Sequence, residues 1–276
     1  MGFVSTFISH KKPLKYLVSR LMMKLGICRY FYITRNGYRI RFHPVGIPAQ
    51  LWIEPNRMRW EEQILEQVLK EGDVFIDIGA NVGTLTCRAA ELVGSSGKVF
   101  SFEADPTLAK CLLDNVRLNI FNNVDVHSCA VGEKNSTISF LQNKSDDRGR
   151  VAESGNVNIP LKKLDDVIPS DLDITMVKID VEGYENMVLK GAKNVLSKAN
   201  FVLMEYSVSN AALYNYDTRE NLAALTSLGF SIFKVGKNNI IYSINKTYMT
   251  QETLDILAVR DVTNLMNRTT YRLPTS

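Results

Sequence analysis

The segment Asp77-Ile78-Gly79-Ala80-Asn81-Val82-Gly83 sets a carboxylate and two glycines directly after a run of apolar residues, and a second carboxylate, Glu103, closes the next apolar run. Glycine adopts turns closed to other residues and lets a ligand approach the backbone. A carboxylate ending the neighbouring strand of a parallel sheet is placed to accept hydrogen bonds from both hydroxyls of a ribose. Asp77 can face a cationic ligand group. Two cofactors use such a layout. A dinucleotide needs G-x-G-x-x-G, so that a helix start can hold its pyrophosphate. Here Asn81 stands where the middle glycine belongs, and the third glycine falls early. S-adenosylmethionine has no phosphate; it has a ribose, an adenine, an ammonium and a sulfonium, so acids at both Asp77 and Glu103 suit it better. The plainer alternative is a glycine turn with no ligand, which leaves unexplained why Asp77, the glycines and Glu103 fall together.

A second set of acids follows. With a strand period of two, Met176, Lys178 and Asp180 share one face. Asp180 and Glu182 fall at the carboxyl end of that strand, and Glu205 ends the next, Val202-Leu203-Met204-Glu205. Methyl transfer from a sulfonium asks mainly for alignment and exclusion of water. A hydroxyl acceptor must also lose its proton, to a base or with the help of a metal. Asp180, Glu182, Glu205 and Lys178 are the candidate catalytic residues. Like-charged neighbours raise a carboxyl group into the range of a useful base, and the same oxygens suit a divalent metal cation. The structural alternative makes Lys178 and Asp180 a buried ion pair, with Glu182 and Glu185 favouring the positive end of the following helix. Tyr184 either flanks the acceptor or simply packs.

These positions need a scaffold. From Asp73 onward, strands at 74–78, 98–103, 124–131, 174–180 and 201–206 alternate with helices ending near Leu92, Ile120 and Leu196. Such alternation predicts an α/β fold: a Rossmann-like, mostly parallel sheet with helices on both faces, whose ligands bind beyond the carboxyl ends of the strands. A helix near 218–228 and strands at 231–235 and 240–243 complete a domain over residues 57–243. Short strands at 136–141 and 157–160 flank a polar loop, 142–156, long enough for a lid or binding loop and equally for a surface insertion. Upstream, 57–70 has the spacing of a helix, with Gly72 as its expected C-terminal cap. Residues 30–42 alternate about Arg35-Asn36-Gly37 as a hairpin does, and 12–28 form a helix with a mixed face. Residues 1–56 are therefore expected as a basic helix and hairpin extension, and 244–276 as a C-terminal extension.

Taken in order, Phe75–Gly83, Ser101-Phe-Glu-Ala-Asp-Pro106, Ala130-Val-Gly132, Leu164-Asp-Asp166 and Lys178-Ile-Asp-Val-Glu-Gly-Tyr-Glu185 resemble the successive signatures of the FkbM family of methyltransferases. The resemblance covers roughly 57–243. It implies class I methyltransferase topology, S-adenosylmethionine, and O-methylation of a hydroxyl on a sugar, glycan or secondary metabolite. It also implies that Asp77, Gly79, Asn81 and Gly83, with Ala80 between them, line the methionine end of the cofactor. Glu103 would hold the ribose, with Ala104 and Asp105 near the adenine and Ala130 and Val131 along its face. Competing readings are an NAD or nucleotide-sugar enzyme and a catalytically silent cofactor-binding protein of the same fold.

Composition narrows the field. The formal charge of +4 over 276 residues is too mild to argue for nucleic acid, and no N/D-P-P-Y/F motif occurs. Cys28, Cys87, Cys111 and Cys129 form no CxxC pair, which fits reduced thiols in the cytoplasm. The short apolar stretch 1–9 precedes the positive charges, the wrong order for a signal peptide, and no apolar run reaches the length of a transmembrane helix. The basic excess is uneven: residues 1–42 hold nine Lys and Arg and no Asp or Glu. That segment is either a peripheral contact for an anionic surface such as a membrane, or a solvated basic helix closing the domain, a reading favoured by the absence of a long apolar stripe in the sequence.

Overall fold

The computed structural model describes residues 12–143 and 149–274. The apolar stretch 1–9, Lys11 and positions 144–148 of the polar loop lie outside the described residues. Helix α1 (Pro13–Lys24) is followed by a hairpin of β1 (Tyr32–Thr34) and β2 (Arg39–Arg41), turning at the expected Arg35-Asn36-Gly37. The sequence gives no sign of α2 (Gly46–Ile53), because GIPAQLWI is apolar nearly all round and lacks the two-sided pattern of an amphipathic helix. Helix α3 (Arg59–Val68) lies within the expected 57–70, but Leu69 ends it by turning extended, and Gly72 takes a later turn at φ +86°. The extension is locked onto α3 by Glu62. This fully buried carboxylate accepts hydrogen bonds from Arg35 Nε at 2.8 Å and from the Tyr38 hydroxyl, and a buried charge persists only with such partners.

The chain then alternates through β3 (Val74–Ile78), α4 (Thr84–Val93), β4 (Lys98–Phe102), α5 (Pro106–Leu118) and β5 (Val124–His127). The expected strand 124–131 divides here. Its second half, β6 (Ala130–Val131), leaves the main sheet and joins β7 (Ser136–Leu141), β8 (Arg150–Val151) and β9 (Val157–Lys162) in a smaller sheet, order β6-β9-β7-β8. Next come β10 (Met176–Ile179), α6 (Glu185–Gly191) and α7 (Lys193–Lys198); the expected helix to Leu196 breaks at Ala192. The rest is β11 (Phe201–Tyr206), α8 (Val208–Ala212), α9 (Thr218–Ser227), β12 (Ser231–Val235), β13 (Ile241–Ile244), β14 (Leu254–Val259) and α10 (Val262–Arg268).

The main sheet has the order β13-β12-β14-β11-β10-β3-β4-β5. The five strands from β11 to β5 are parallel, and β14 runs antiparallel to both β11 and β12. Residues 244–276, expected as an appendage, thus supply a strand inside the sheet. LDILAV is a near-continuous apolar run, as a strand covered on both faces must be. Successive β-residues feed opposite cores. Ile76, Val177, Val202 and Ile256 pack with α6, α7 and α9, while Phe75, Met176, Phe201 and Leu257 pack with α3, α4 and α10.

Candidate active site

A cleft of about 250 Å³ opens at the carboxyl ends of β3, β4, β10 and β11. One half is shaped by backbone. The Gly79 and Ala80 N–H groups both donate to the Phe102 carbonyl, at 2.9 and 3.0 Å, so the turn after β3 is clamped to the end of β4. Gly79 has φ +83°, and a Cβ there would lie 1.8 Å from the Asp180 carbonyl oxygen, so no larger residue fits. Asn81 also has positive φ, and its N–H donates to Glu103 Oε2 at 2.6 Å. The Asp105 N–H donates to Glu103 Oε1 at 2.8 Å. Glu103 is thus oriented by two backbone donors while each oxygen keeps acceptor capacity. Burial pushes its pKa up to about 7.

Asp77 is fully buried at the floor of this half. Its Oδ2 accepts from Thr86 Oγ1 at 2.7 Å, but its Oδ1 has no hydrogen-bond partner among the described residues. Burial raises its pKa, opposed by Lys178. Thr84 Oγ1, also on the cleft wall, is likewise buried without a partner. Orphaned buried acceptors are uncommon and point to a missing ligand or water. An amino-acid ammonium and a ribose match these groups, and Ala104, Ala130 and Val131 offer an adenine a mainly apolar wall. Two expected residues stand apart from the cleft lining. Asp105 caps α5, accepting from the Thr107 N–H at 2.7 Å, and Gly83 begins α4, where a Cβ would strike Leu112.

The other half is shaped by side chains around one ammonium. Lys178 Nζ lies 3.1 Å from Asp180 Oδ2, 3.8 Å from Asp77 Oδ1 and 3.3 Å from the Gly79 carbonyl. Burial alone would lower its pKa; Asp180 and Asp77 outweigh it and raise it. Lys178 and Asp180 form an ion pair, as the structural alternative expects, but the Asp180 carboxylate is half-exposed, and both residues line the cleft. Glu182 and Glu205 are bridged by one amide, with Asn210 Nδ2 donating to Glu205 at 3.0 Å and to Glu182 at 3.2 Å. Burial, then the carboxylates of Asp180, Glu185 and Glu182, push Glu205 up to about 8. Glu185 turns away, accepting from the Val181 and Gly183 N–H groups at 3.1 Å each. Tyr184 lines the cleft and packs edge-on against Tyr214.

The sequence-based reading missed Glu61, Asp255, Asn210 and Gln50. Glu61 and Gln50 reach the cleft from α3 and α2. Asp255 lies opposite Glu205 in the β11–β14 register, and burial pushes it up to about 6. Its signal was available, as the one charge in an apolar strand; Asn210 offered none. Among the described residues, no group of three or more His, Cys, Asp or Glu stands close enough to hold a metal ion.

Residues 77–232, more than half of the 276, match the family model described as the methyltransferase FkbM domain. The chain belongs to the FkbM methyltransferase family. Its main sheet is accordingly that of a class I methyltransferase. A relative in Haloferax volcanii, hexuronic acid methyltransferase AglP, is 28% identical over 67% of this chain and 78% of its own. The 2-O-methyltransferase NoeI of Sinorhizobium fredii is 25% identical over 54% of this chain and 70% of its own. The solved FkbM methyltransferase of Methylobacillus flagellatus is 15% identical at a TM-score of 0.45, covering 89% of this chain and 59% of that one.

Proposed function

We propose that this FkbM methyltransferase uses S-adenosylmethionine to methylate a hydroxyl of a sugar, glycan or small metabolite. The buried Asp77 Oδ1, which faces the Lys178 ammonium at 3.8 Å but accepts no hydrogen bond among the described residues, carries this reading, because it stands beside the glycine turn and one strand from Glu103. The hexuronic acid in one relative's name supports the acceptor class, and the 2-O-methylation in the other's supports transfer to oxygen. Four buried free thiols are in keeping with a cytoplasmic location.

S-adenosylmethionine supplies an electrophilic methyl carbon on sulfur. Asp77 and the turn through Gly79, Ala80 and Asn81 would hold its amino-acid end, Glu103 its ribose, and Ala104, Ala130 and Val131 its adenine. Glu205 would take the proton of the acceptor hydroxyl onto its carboxylate as that hydroxyl is methylated. Its raised pKa makes it a stronger base than an ordinary carboxylate. Asp180, fixed by Lys178, and Glu182, fixed by Asn210, would orient the acceptor hydroxyl in the cleft.

Calorimetry tests the cofactor: S-adenosylmethionine or its demethylated product binds, and NAD binds far more weakly. Tight NAD binding with no S-adenosylmethionine binding ends this reading. Incubating a cell extract with the protein and isotopically labelled cofactor, followed by mass spectrometry, names the acceptor.

A further inference from the structure

Helix α1 meets the rest of the protein with one face. Ser19 is buried, and Met22 and Met23 pack on Cys28, Phe42, Ala49 and Trp52. The opposite face carries Leu14, Leu17, Leu21 and Leu25, which at 3.6 residues per turn fall within an arc of about 80°. They are 72%, 40%, 53% and 61% exposed. The apolar stripe that the sequence conceals among charges is therefore real, and it faces outward. A surface helix ordinarily turns such a stripe to the core, and a contiguous exposed apolar patch marks a binding surface. Beyond the helix, Tyr30, Phe31 and Tyr32 are 71%, 53% and 50% exposed.

Charge decides what covers this face. Residues 12–42 contain no acid and eight Lys and Arg, of which Arg35 and Arg41 are paired with Glu62 and Asp114. Lys12 and Lys15 bond the Ile53 and Trp52 carbonyls at the end of α2, whereas Arg20 and Lys24 are exposed alongside the leucines. Arg29 lies over the Tyr30 ring and Arg39 over the Tyr32 ring. Leucines flanked by cations, with tyrosines beyond, form a surface suited to lie in the interface of a bilayer: the leucines enter the acyl boundary and the cations meet lipid phosphates. A second copy of the chain would set like charges against each other, and a nucleic acid would leave the leucines in water.

We propose that α1 and the Tyr30–Tyr32 segment dock this protein on a membrane surface rich in anionic phospholipid. The twelve residues of α1 are too few to cross a bilayer, so the contact is peripheral. Helix α1 packs on α2, which supplies Ile47 and Gln50 to the cleft, so the docking surface stands one helix from the cleft.

Flotation of the full-length protein with vesicles of phosphatidylcholine plus about one-third phosphatidylglycerol tests this. The protein floats at low salt, is released as salt is raised, and ignores pure phosphatidylcholine. The L17E/L21E double variant lowers partitioning about ten-fold or more, and R20E/K24E about ten-fold. Both keep the parent's unfolding midpoint and S-adenosylmethionine affinity, because all four side chains are exposed. Failure to float with anionic vesicles overturns the proposal, as does flotation that both variants leave intact. So does sedimentation showing that L17E/L21E instead dissolves a dimer that never bound vesicles.

Discussion

The two halves of the cleft are built on different terms. The half proposed to hold the cofactor is built mainly on the stretch Asp77–Ala104, with Ala130 and Val131 of β6 along the adenine. Its shape is set by backbone: left-handed turns at Gly79 and Asn81, two N–H groups on the Phe102 carbonyl, and Glu103 held by two more. The half proposed to handle the acceptor gathers Glu61, Lys178, Asp180, Glu205 and Asp255 from α3, β10, β11, β14 and the turn after β10. Its shape is set by charge around one ammonium. Backbone geometry survives the loss of a charge, whereas a charge-balanced cluster does not. Substitutions in the first half should therefore change affinity, and those in the second should change rate and stability.

The largest effect is expected at the proposed base. Glu205→Gln keeps size and most hydrogen bonds but removes the basic oxygen, so turnover should fall about two to four orders of magnitude with cofactor affinity little changed. Asp180→Asn should lower turnover in the same direction. Adding a chelator to the parent enzyme sharpens the assignment. Activity lost to chelator and restored by magnesium or manganese would make these carboxylates ligands; indifference leaves them as base and orienting acceptor. An Asp180→Asn protein as active per folded molecule as the parent, but less stable, would reduce Asp180 to a structural partner of Lys178.

Lys178→Met tests the charge balance itself. It strands Asp77, fully buried, without its counter-ion. Removing one partner of a buried pair typically costs about 3–5 kcal/mol, to be read from urea unfolding. A loss under about 1 kcal/mol would show that Asp77 simply takes up a proton. In the other half, Glu103→Ala should weaken cofactor binding by about 1–3 kcal/mol, the scale of hydrogen bonds to a charged acceptor, with turnover at saturation nearly kept. An unchanged dissociation constant would place the ribose elsewhere.

The same contrast explains what the sequence revealed. The half from Asp77 to Glu103 was legible because its residues are close in sequence and its rules are local: apolar strand, glycine turn, acid at the next strand end. The parallel strands β3, β4, β10 and β11 were legible for a similar reason, each being a short apolar run between turn signals. Asp180, Glu182 and Glu205 could be named because strand ends predict position. Glu61 and Asp255 could not be joined to them, since α3 and β14 meet that site only through tertiary packing. The placement of β14 inside the sheet hid in the same way, because neighbouring strands there are far apart in sequence. The small sheet around β6 was obscured because no glycine or proline between Val124 and Val131 marks the point where the chain changes sheets. The outward leucine stripe of helix α1, a helix the sequence does predict, was hidden for another reason. Charges interleave its leucines in sequence, and only the helical projection puts them in one line.

The smallest expected effect is a displacement along the pH axis, and it distinguishes the halves most directly. Glu205 is pushed up to about 8 and Asp255 up to about 6, both first by burial and then by neighbouring carboxylates. A carboxyl raised in the folded state stabilises fully below its unfolded pKa, and that contribution is lost as pH rises through the folded value. The melting temperature of the cofactor-free protein should therefore fall between about pH 5 and 8. Turnover should move the opposite way, rising as Glu205 loses its proton toward pH 8 and becomes able to accept another. Stability and activity then oppose each other in the same residue. Glu182→Gln removes one of the negative charges that raise Glu205, so both the melting curve and the rising limb of turnover should shift to lower pH together. Glu103→Ala, in the backbone-set half, should leave the turnover limb where it was. Turnover profiles for parent and Glu182→Gln that superimpose, or a parent profile flat between about pH 6 and 9, would remove Glu205 as the proton acceptor and leave the acidic half with a positioning role alone.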